Sequence, residues 1–361
     1  MTMKTLPIQA EGHFVESSLP LNAEALADAK FGFTTRRVRL ADLVTLVYGS
    51  IVPRAGDLVL AKIVKVGEHS RIQWPSGRRA MLFPGDEIVV AYGNRYAPDQ
   101  FEAIVPANLS ECHLVASGGV AGKVLSRHGG LKSPTVIKPI GLLGDAYGKP
   151  VNLDRYRLPK VHGVQKRATI IAVAGTSMNA GKTTAAAHLI KGLVRAGCRV
   201  AAIKVTGTGA GNDLWMYQDA GASPTLDFTD VGHASTYRAS SPEILECFTT
   251  LLAHAQAPGI THVVLEVADG LLQRETASLL QSSVYRSMVD GTIFCAGDAL
   301  GAAAGVEWLE QRAVGVLAVS GVVSASPLAS TEARNATRLP VFTREELADA
   351  EVAMTIAKSS R

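Results

Sequence analysis

The sequence predicts an α/β protein in two parts: a β-rich, barrel-like N-terminal domain and a C-terminal domain with a doubly wound, mostly parallel sheet. In the first part, short apolar strands alternate with turns rich in Gly and Pro. In the second, continuous apolar strands alternate with helical segments. The chain has 361 residues and is 47% apolar, which is enough for two hydrophobic cores.

The N-terminal half divides into three segments. Residues 1–33 show little periodicity, and we expect an arm. Residues 34–144 form the β-rich domain, with a strand in DLVLAKIVKV (57–66) and two short strands around a Pro-Ser-Gly turn in RIQWPSGRRAML (71–82). Residues 145–167 are polar and turn-rich, which is typical of a linker between domains.

The C-terminal domain is predicted over residues 168–361. A helix follows the first strand, at TTAAAHLIKGLVRAG (183–197), and another is indicated by SPEILECFTTLLAHAQ (241–256), where Pro242 suits a first helical turn. The predicted strands are ATIIAVAG (168–175), CRVAAIKVTG (198–207), THVVLEVADG (261–270), GTIFCAG (291–297), AVGVLAVSG (313–321) and, as a sixth, RLPVF (338–342).

Charge and cysteine content narrow the class of protein. Residues 1–167 hold 22 Lys and Arg against 14 Asp and Glu, while residues 168–361 hold 14 against 18, so the net charge of +4 hides two halves of opposite sign. The basic residues are dispersed, so we expect no nucleic-acid partner and interpret the Arg36–Arg39 cluster as a solvated surface. Four scattered cysteines, without a CxxC pair, indicate reduced thiols rather than disulfides or zinc.

No membrane association is expected from the sequence. No apolar run reaches the roughly 18 residues that a bilayer span requires. The first residues have no apolar core like that of a secretory signal. We therefore expect a cytoplasmic protein.

The stretch AGTSMNAGKTT (174–184) lies between the first predicted strand and helix of the C-terminal domain. It matches the phosphate-binding loop Gly-x4-Gly-Lys-Ser/Thr with one extra residue before Gly181. Amides at a helix N-terminus point toward an anion, Lys182 can reach the β- and γ-phosphates, and Thr183 can hold Mg²⁺. The predicted nucleotide-binding residues are Gly175, Thr176, Ser177, Met178, Asn179, Ala180, Gly181, Lys182, Thr183 and Thr184.

The pattern Gly-Thr-x4-Gly-Lys-Thr resembles the loop of dethiobiotin synthetase and related P-loop enzymes, over about residues 168–345. Those enzymes have a Lys ending the next strand, an acidic residue shortly after it and a Glu closing a later strand. Here AAIKVTGTG offers Lys204, GND offers Asp213 and VVLEVADG offers Glu266. The resemblance implies Mg²⁺ held by Thr183, Asp213 and Glu266 beside ATP or GTP. It also implies that Lys182 and Lys204 are catalytic, and that the protein is a homodimer.

Four further residues are predicted to bind a small-molecule substrate, because they follow strands near the expected mouth of the site: Thr206, Gly207, His233 and Asp269. His233 is the candidate general base, since its ordinary pKa lies near neutrality. Asp269 competes with Glu266 for the role of metal or ion-pair residue, and structural alternatives stay open for three other residues. Lys204 can be a solvent-reaching strand end, Asp213 a turn residue and His233 a packing residue.

Three functions fit these features. The first is Mg²⁺-dependent binding of ATP or GTP with phosphoryl transfer that activates a small molecule for ligation. The second is acyl-coenzyme A-dependent N-acyl transfer, because the two-part layout and VTGTGAG (205–211) are similar to the family of D-glutamate N-acetyltransferase. The third is a nucleotide-dependent accessory or switch protein, like the GTP-binding helper of molybdenum-cofactor synthesis. No NKxD motif is present to choose the base, and VSGVVSASP (319–327) is the candidate segment beside it.

Overall fold

The structure is a computed structural model, and it describes residues 17–21, 23–161 and 163–359. Strands are the main regular elements of the N-terminal half. In chain order the strands are β1 (Ser17–Pro20), β2 (Lys30–Phe31), β3 (Thr45–Tyr48), β4 (Leu58–Lys65), β5 (Arg71–Gln73), β6 (Arg79–Met81), β7 (Glu87–Tyr92), β8 (Phe101–Ile104), β9 (Cys112–Ala116), β10 (Val120–Arg127), β11 (Thr135–Gly144), β12 (Thr169–Gly175), β13 (Val200–Lys204), β14 (Thr225–Asp227), β15 (His262–Glu266), β16 (Gly291–Cys295) and β17 (Val316–Ser320).

The α-helices belong to the C-terminal half, as the alternation of apolar strands and helical segments predicts. They are α1 (Lys182–Arg195), α2 (Asn212–Ala220), α3 (Ser241–Ala255), α4 (Arg274–Leu280), α5 (Ser283–Met288), α6 (Ala299–Glu310), α7 (Pro327–Thr337), α8 (Arg344–Leu347) and α9 (Ala350–Ser359). Within the described ranges, no helix has the length and apolar composition that a bilayer crossing needs.

Five strands of the N-terminal half pair in a closed circuit. β4 pairs with β7 and β11, β10 pairs with β7 and β9, and β9 pairs with β11. Alternate side chains of these strands, including Ile63, Ile88 and Leu114, are buried together inside it. The β-rich half therefore has a continuous hydrophobic core. Closure of the strand circuit leaves few unpaired strand edges.

Part of the segment predicted as an arm lies on this sheet. β1 pairs antiparallel with β3, and β2 pairs parallel with β7. The remainder of the predicted arm, residues 1–16 and 22, lies outside the described residues. Local periodicity gave no sign of these strands because they are only four and two residues long.

The C-terminal half is built on a six-stranded parallel sheet with the order β14-β13-β15-β12-β16-β17. Side chains of β12 alternate between two cores: Ile170 and Ala172 face one, and Ile171 and Val173 face the other. Helices cover both faces, as in a doubly wound sheet. The α/β prediction is confirmed for this half, except that the sixth strand is β14 rather than residues 338–342, where Val341 forms a single bridge to Val319.

The two halves are joined by a buried ion-pair cluster. Arg36 reaches Asp227 at 3.0 Å and Asp230 at 2.6 Å, and it also hydrogen-bonds the Thr229 hydroxyl. Burial opposes the charge on Arg36, but the two carboxylates outweigh it and raise the pKa of the guanidinium. The prediction that this arginine cluster is a solvated surface is therefore wrong at Arg36.

Close backbone packing completes this junction. A Cβ on Gly118 would lie 2.0 Å from the Gly209 carbonyl oxygen, so the chains of the two halves touch there. The Phe33 and Trp215 rings pack edge to face beside them, with centroids 5.7 Å apart. The β-rich half is thus fixed directly over the carboxyl end of the parallel sheet, where loops from both halves meet.

Candidate functional site

The carboxyl ends of three neighbouring strands bring the predicted site residues together. β12 leads into the loop at residues 175–184, β13 ends at Lys204 and β15 ends at Glu266. Parallel strands end at one edge of the sheet, which is where such folds bind ligands. A cavity of about 690 Å³ opens at this edge, and residues of both halves line it.

The loop adopts a conformation that depends on glycine at two points. Gly181 has φ 93°, and a Cβ there would lie 2.9 Å from the Gly321 Cα. A Cβ on Gly175 would lie 2.7 Å from the Cys295 carbonyl oxygen. The glycines therefore let the loop approach the neighbouring strand ends closely, and the extra residue is accommodated without breaking the strand–loop–helix order.

The start of α1 faces this loop. The first helical hydrogen bond runs from the Ala185 amide to the Gly181 carbonyl at 2.9 Å. The amides at residues 182–184 precede it and have no partner within the helix. Together with the positive end of the helix dipole, they form a site that favours an anion.

Lys182 is buried beneath the loop. Its Nζ donates a hydrogen bond to the Ser177 carbonyl oxygen at 2.7 Å, so the side chain folds back toward the loop backbone. Burial lowers the pKa of Lys182, and the nearby charge of Lys204 adds to this, while Glu266 and Asp269 oppose it. An anion in the loop would relieve this cost by pairing with the ammonium group.

Lys204 lies between two carboxylates. Its Nζ bonds Asp213 and lies 3.3 Å from Glu266 Oε1, while Tyr217 on α2 donates a hydrogen bond to Glu266 Oε2. Burial opposes ionisation of Glu266, but Lys204 and Lys182 outweigh it and hold its pKa below the ordinary value. Burial and the charge of Glu266 raise the pKa of Asp213, because one ammonium group cannot neutralise both carboxylates.

The chemistry of this cluster fits a hard divalent cation. Asp213 and Glu266 approach the same ammonium group, so both carboxylates are close enough to share one cation. Hydrogen bonding from Thr183 also lowers the pKa of Glu266, which places that hydroxyl beside the pair. In the part of the chain that the structure describes, no group of three or more His, Cys, Asp or Glu side chains forms a metal site of its own. A cation here would need oxygen atoms from a phosphate as well.

Asp269 is the second acidic residue of the cavity, and it is 9% exposed. It has a φ of 65°, in the left-handed region that few side chains adopt. Burial raises its pKa to about 6, against the attraction of Lys182 and Lys204. Gly207 lines the same cavity, whereas Thr206 is fully buried and its hydroxyl bonds the Ala268 carbonyl oxygen at 3.2 Å.

His233 is not brought to the cavity, which corrects its prediction as a substrate-binding residue and general base. Burial lowers its pKa, and the charged groups that act on it are Glu243, Arg157, Asp154 and Glu246. Those residues belong to α3 and to the segment between the two halves. The short helical turn before His233 ends at Gly232, which has a left-handed φ of 94°. The chain therefore turns at Gly232, and His233 packs beside α3 and the segment between the two halves.

The β-rich half supplies a wall of the cavity that the sequence interpretation did not include. The lining residues from that half are Glu68, His69, Arg95, Tyr96, Gln100, Ala116 and Ser117. The loop is tied to this wall, since Asn179 Nδ2 donates to Asp99 Oδ2 at 2.6 Å. In the sequence these residues occupy polar turns and short strands, which look like ordinary surface.

A second cavity, of about 460 Å³, also adjoins the loop and shares Gly181, Thr184 and Val322 with the first. Its lining residues are Gly181 and Thr184 of the loop, Ala185 of α1, Ser320 at the end of β17, Gly321, Val322, Ser324 and Ala325 after β17, and Thr343, Arg344 and Glu345. The segment predicted to lie beside the base, residues 319–327, therefore meets the loop in space.

Comparison of the sequence with protein-family models gives no match, and comparison with curated proteins gives none either. Among solved structures, the signal recognition particle 54 kDa protein of Aeropyrum pernix, in complex with GDP, is 20% identical over 54% of this chain and 46% of its own, with a TM-score of 0.34. The chain thus spans less than half the length of that protein.

The cell division protein ftsY of Thermotoga maritima is 17% identical over 57% of this chain and 74% of its own, also with a TM-score of 0.34. At these TM-scores the alignments do not establish the fold or the function of this chain. The α/β assignment rests on the strand order and the loop described above. Neither finding bears on dethiobiotin synthetase. That resemblance continues to rest on the loop, Lys204, Asp213 and Glu266.

Proposed function

We propose that the protein binds the Mg²⁺ complex of ATP or GTP on residues 175–184. It then transfers the terminal phosphoryl group to a small molecule held against the β-rich half, which activates that molecule for ligation. The cavity carries the proposal, because it has Lys182 and Thr183 on one side and side chains of the β-rich half on the other. The terminal phosphate of a nucleotide bound in the loop would face a small molecule bound against the β-rich half.

Charge neutralisation is the task of the residues nearest the phosphates. Phosphoryl transfer depends mostly on positioning and on stabilising negative charge around the transferred group. Lys182 and the amides at the start of α1 would hold the phosphates, and Lys204 would stabilise negative charge on the phosphoryl group during its transfer. For Lys182 to reach a phosphate, its hydrogen bond to the Ser177 carbonyl oxygen has to open or be shared.

Thr183, Asp213 and Glu266 would hold Mg²⁺. A cation held there would supply neutralisation of the negative charge on the phosphates. Lys204 would then release at least one of its two carboxylates, because both now pair with its ammonium group. Tyr217 would keep Glu266 oriented through its hydrogen bond.

Asp269 would accept a proton from the attacking group of the substrate. A carboxylate with a pKa of about 6 is mostly ionised at neutral pH and is a stronger base than an ordinary aspartate. It lines the same cavity as Lys182, and in this proposal it would lie on the substrate side of the phosphates. The base of the nucleotide would occupy the cavity of about 460 Å³ next to Thr184.

Calorimetric titration of the full chain with ATP, GTP and acetyl-coenzyme A, each with and without Mg²⁺, tests this function. We expect one nucleoside triphosphate to bind, at least about tenfold more tightly with Mg²⁺. Binding of acetyl-coenzyme A alone would contradict the proposal and favour N-acyl transfer. A nucleotide that binds and is hydrolysed at a rate no small molecule changes would favour a switch protein.

A further inference from the structure

A buried arginine of the β-rich half faces the cavity without an acidic partner. Arg95 is 6% exposed and lines the cavity together with Lys182 and Asp269. Among the described residues, its guanidinium group forms no ion pair within 4.0 Å, and its Nε has no hydrogen-bond partner. Burial of a charged group without a counter-charge has a large free-energy cost. An anion bound from outside the chain would offset that cost at Arg95.

The surroundings of Arg95 hold it in place but do not neutralise it. Its backbone pairs with Ala103 in an isolated bridge, through N–H to O=C bonds of 2.8 and 3.0 Å. Its side chain donates to the Val115 carbonyl oxygen and to Gln100 Oε1 at 2.6 Å, both of them uncharged acceptors. Two of the five N–H groups of the guanidinium are used in this way, which leaves donors for a ligand.

The neighbouring charges support the same conclusion. Burial lowers the pKa of Arg95 to about 10, although Asp99 and Asp269 attract the proton from a distance. The ring of His69 lies 3.3 Å away through Nε2, and burial together with Arg95 lowers the pKa of that histidine to about 4. A neutral His69 adds no charge, so the positive charge of Arg95 remains open toward the cavity.

We propose that Arg95 binds a carboxylate of the small-molecule substrate and so fixes that substrate against the β-rich half. A planar guanidinium matches the two oxygens of a carboxylate, whereas the phosphates already have Lys182, Lys204 and the loop amides. The role of this molecule as phosphoryl acceptor rests on the proposed function, but its binding at Arg95 does not. The terminal phosphate of the nucleotide is the competing anion.

Thermal unfolding of the full chain, without nucleotide, tests the binding. The probes are acetate, succinate, glutarate, glutamate and β-alanine at matched ionic strength, each beside the corresponding amide. We expect at least one carboxylate to raise the unfolding midpoint and its amide to have no effect. Arg95→Gln should weaken binding of that carboxylate by about 10- to 100-fold, while the exposed Arg71→Gln on β5 should leave it unchanged.

Gln100→Glu provides a test that keeps Arg95 in place. The new carboxylate would stand where the amide oxygen now accepts from Arg95, so it would neutralise the guanidinium from within the chain. We expect this variant to unfold at a higher temperature than wild type and to lose its response to the carboxylates. This result is independent of whether Arg95→Gln folds.

Three outcomes would overturn the proposal: no carboxylate in the panel stabilises the wild type, the response persists in Arg95→Gln, or Gln100→Glu responds like wild type. A fourth would reassign Arg95 to the nucleotide, namely a loss of Mg²⁺-nucleotide affinity in Arg95→Gln without any carboxylate present. The unfolding series contains no nucleotide. It therefore tests carboxylate binding at Arg95 even if calorimetry shows that no nucleotide binds.

Discussion

The phenol of Tyr217 donates a hydrogen bond to the carboxylate of Glu266, and both side chains are almost completely buried. Tyr217 lies on α2 and Glu266 at the end of β15, so this bond links the helix that carries Asp213 to the strand that ends in the predicted metal ligand. Burial and the charge of Glu266 raise the pKa of Tyr217 far above its ordinary value, so the phenol stays protonated and can donate.

Tyr217→Phe should therefore destabilise the protein by about 1–3 kcal/mol, because it removes a hydrogen-bond donor from a buried carboxylate. Denaturant unfolding at neutral pH measures the change. Tyr285→Phe is the matched control. Tyr285 is equally buried, and its hydroxyl has no hydrogen-bond partner of acceptable geometry among the described residues, although Thr292 is a polar neighbour. Equal losses in the two variants would contradict the importance of the Tyr217–Glu266 bond.

Asp269→Asn should raise stability at neutral pH in the absence of ligand. The folded pKa of about 6 lies above the ordinary value of 3.8, so wild-type stability falls as the pH rises through this interval. The variant removes a cost of about 2–3 kcal/mol above pH 6, and Asn tolerates the left-handed backbone. Unfolding at pH 7.5 and pH 4.5 checks this. A gain that is the same at both pH values would contradict the raised pKa.

Protonation of His69 should contribute to acid destabilisation. Its folded pKa of about 4 lies below the ordinary value of 6.5, so the unfolded chain binds a proton first and stability is lost as the pH falls between these values. His69→Gln keeps a donor for the Val115 carbonyl oxygen, which His69 Nε2 contacts at 2.8 Å. The variant should lose less stability than wild type between pH 7.5 and pH 5.0 in denaturant titrations. Identical losses would show that His69 does not titrate in this way.

Arg36→Leu should destabilise the protein by about 3–5 kcal/mol, because it leaves Asp227 and Asp230 buried without their counter-charge. Arg39→Leu is the control, since Arg39 is 71% exposed on its side chain and should change stability by at most about 0.5 kcal/mol. Thermal or denaturant unfolding of both variants measures the difference. A small effect in both would mean that the ion-pair cluster does not hold the halves together.

The parallel sheet and the loop could be predicted because their signals are local. Residues 168–195 contain an apolar strand, a glycine-containing loop and an amphipathic helix in succession, and the strand and the helix each have a recognisable pattern. The cluster of Lys204, Asp213 and Glu266 could also be predicted, since Lys204 and Glu266 end β13 and β15 and Asp213 lies at the start of the helix that follows β13. β14 was missed because three residues are too short to show a pattern.

The rest of the site depends on contacts between distant parts of the chain. Arg36 and Asp227 are 191 residues apart, and Arg95 stands in a polar stretch with no sequence signal that it would line one cavity with Lys182. Tyr217 occupies a buried helical position that looks like ordinary core. His233 was misplaced for the opposite reason, because a polar residue after a strand looked like a site residue but packs beside α3 instead.

Nucleotide binding by the longer loop is tested most directly by the affinity of Lys182→Ala for Mg²⁺-ATP and Mg²⁺-GTP. Lys191→Ala on the same helix is the control, because that position does not line the cavity. We expect Lys182→Ala to weaken calorimetric affinity by at least about 100-fold, since a charged contact to phosphate is lost, and Lys191→Ala to match wild type. An affinity for Lys182→Ala within a few-fold of wild type would contradict the account.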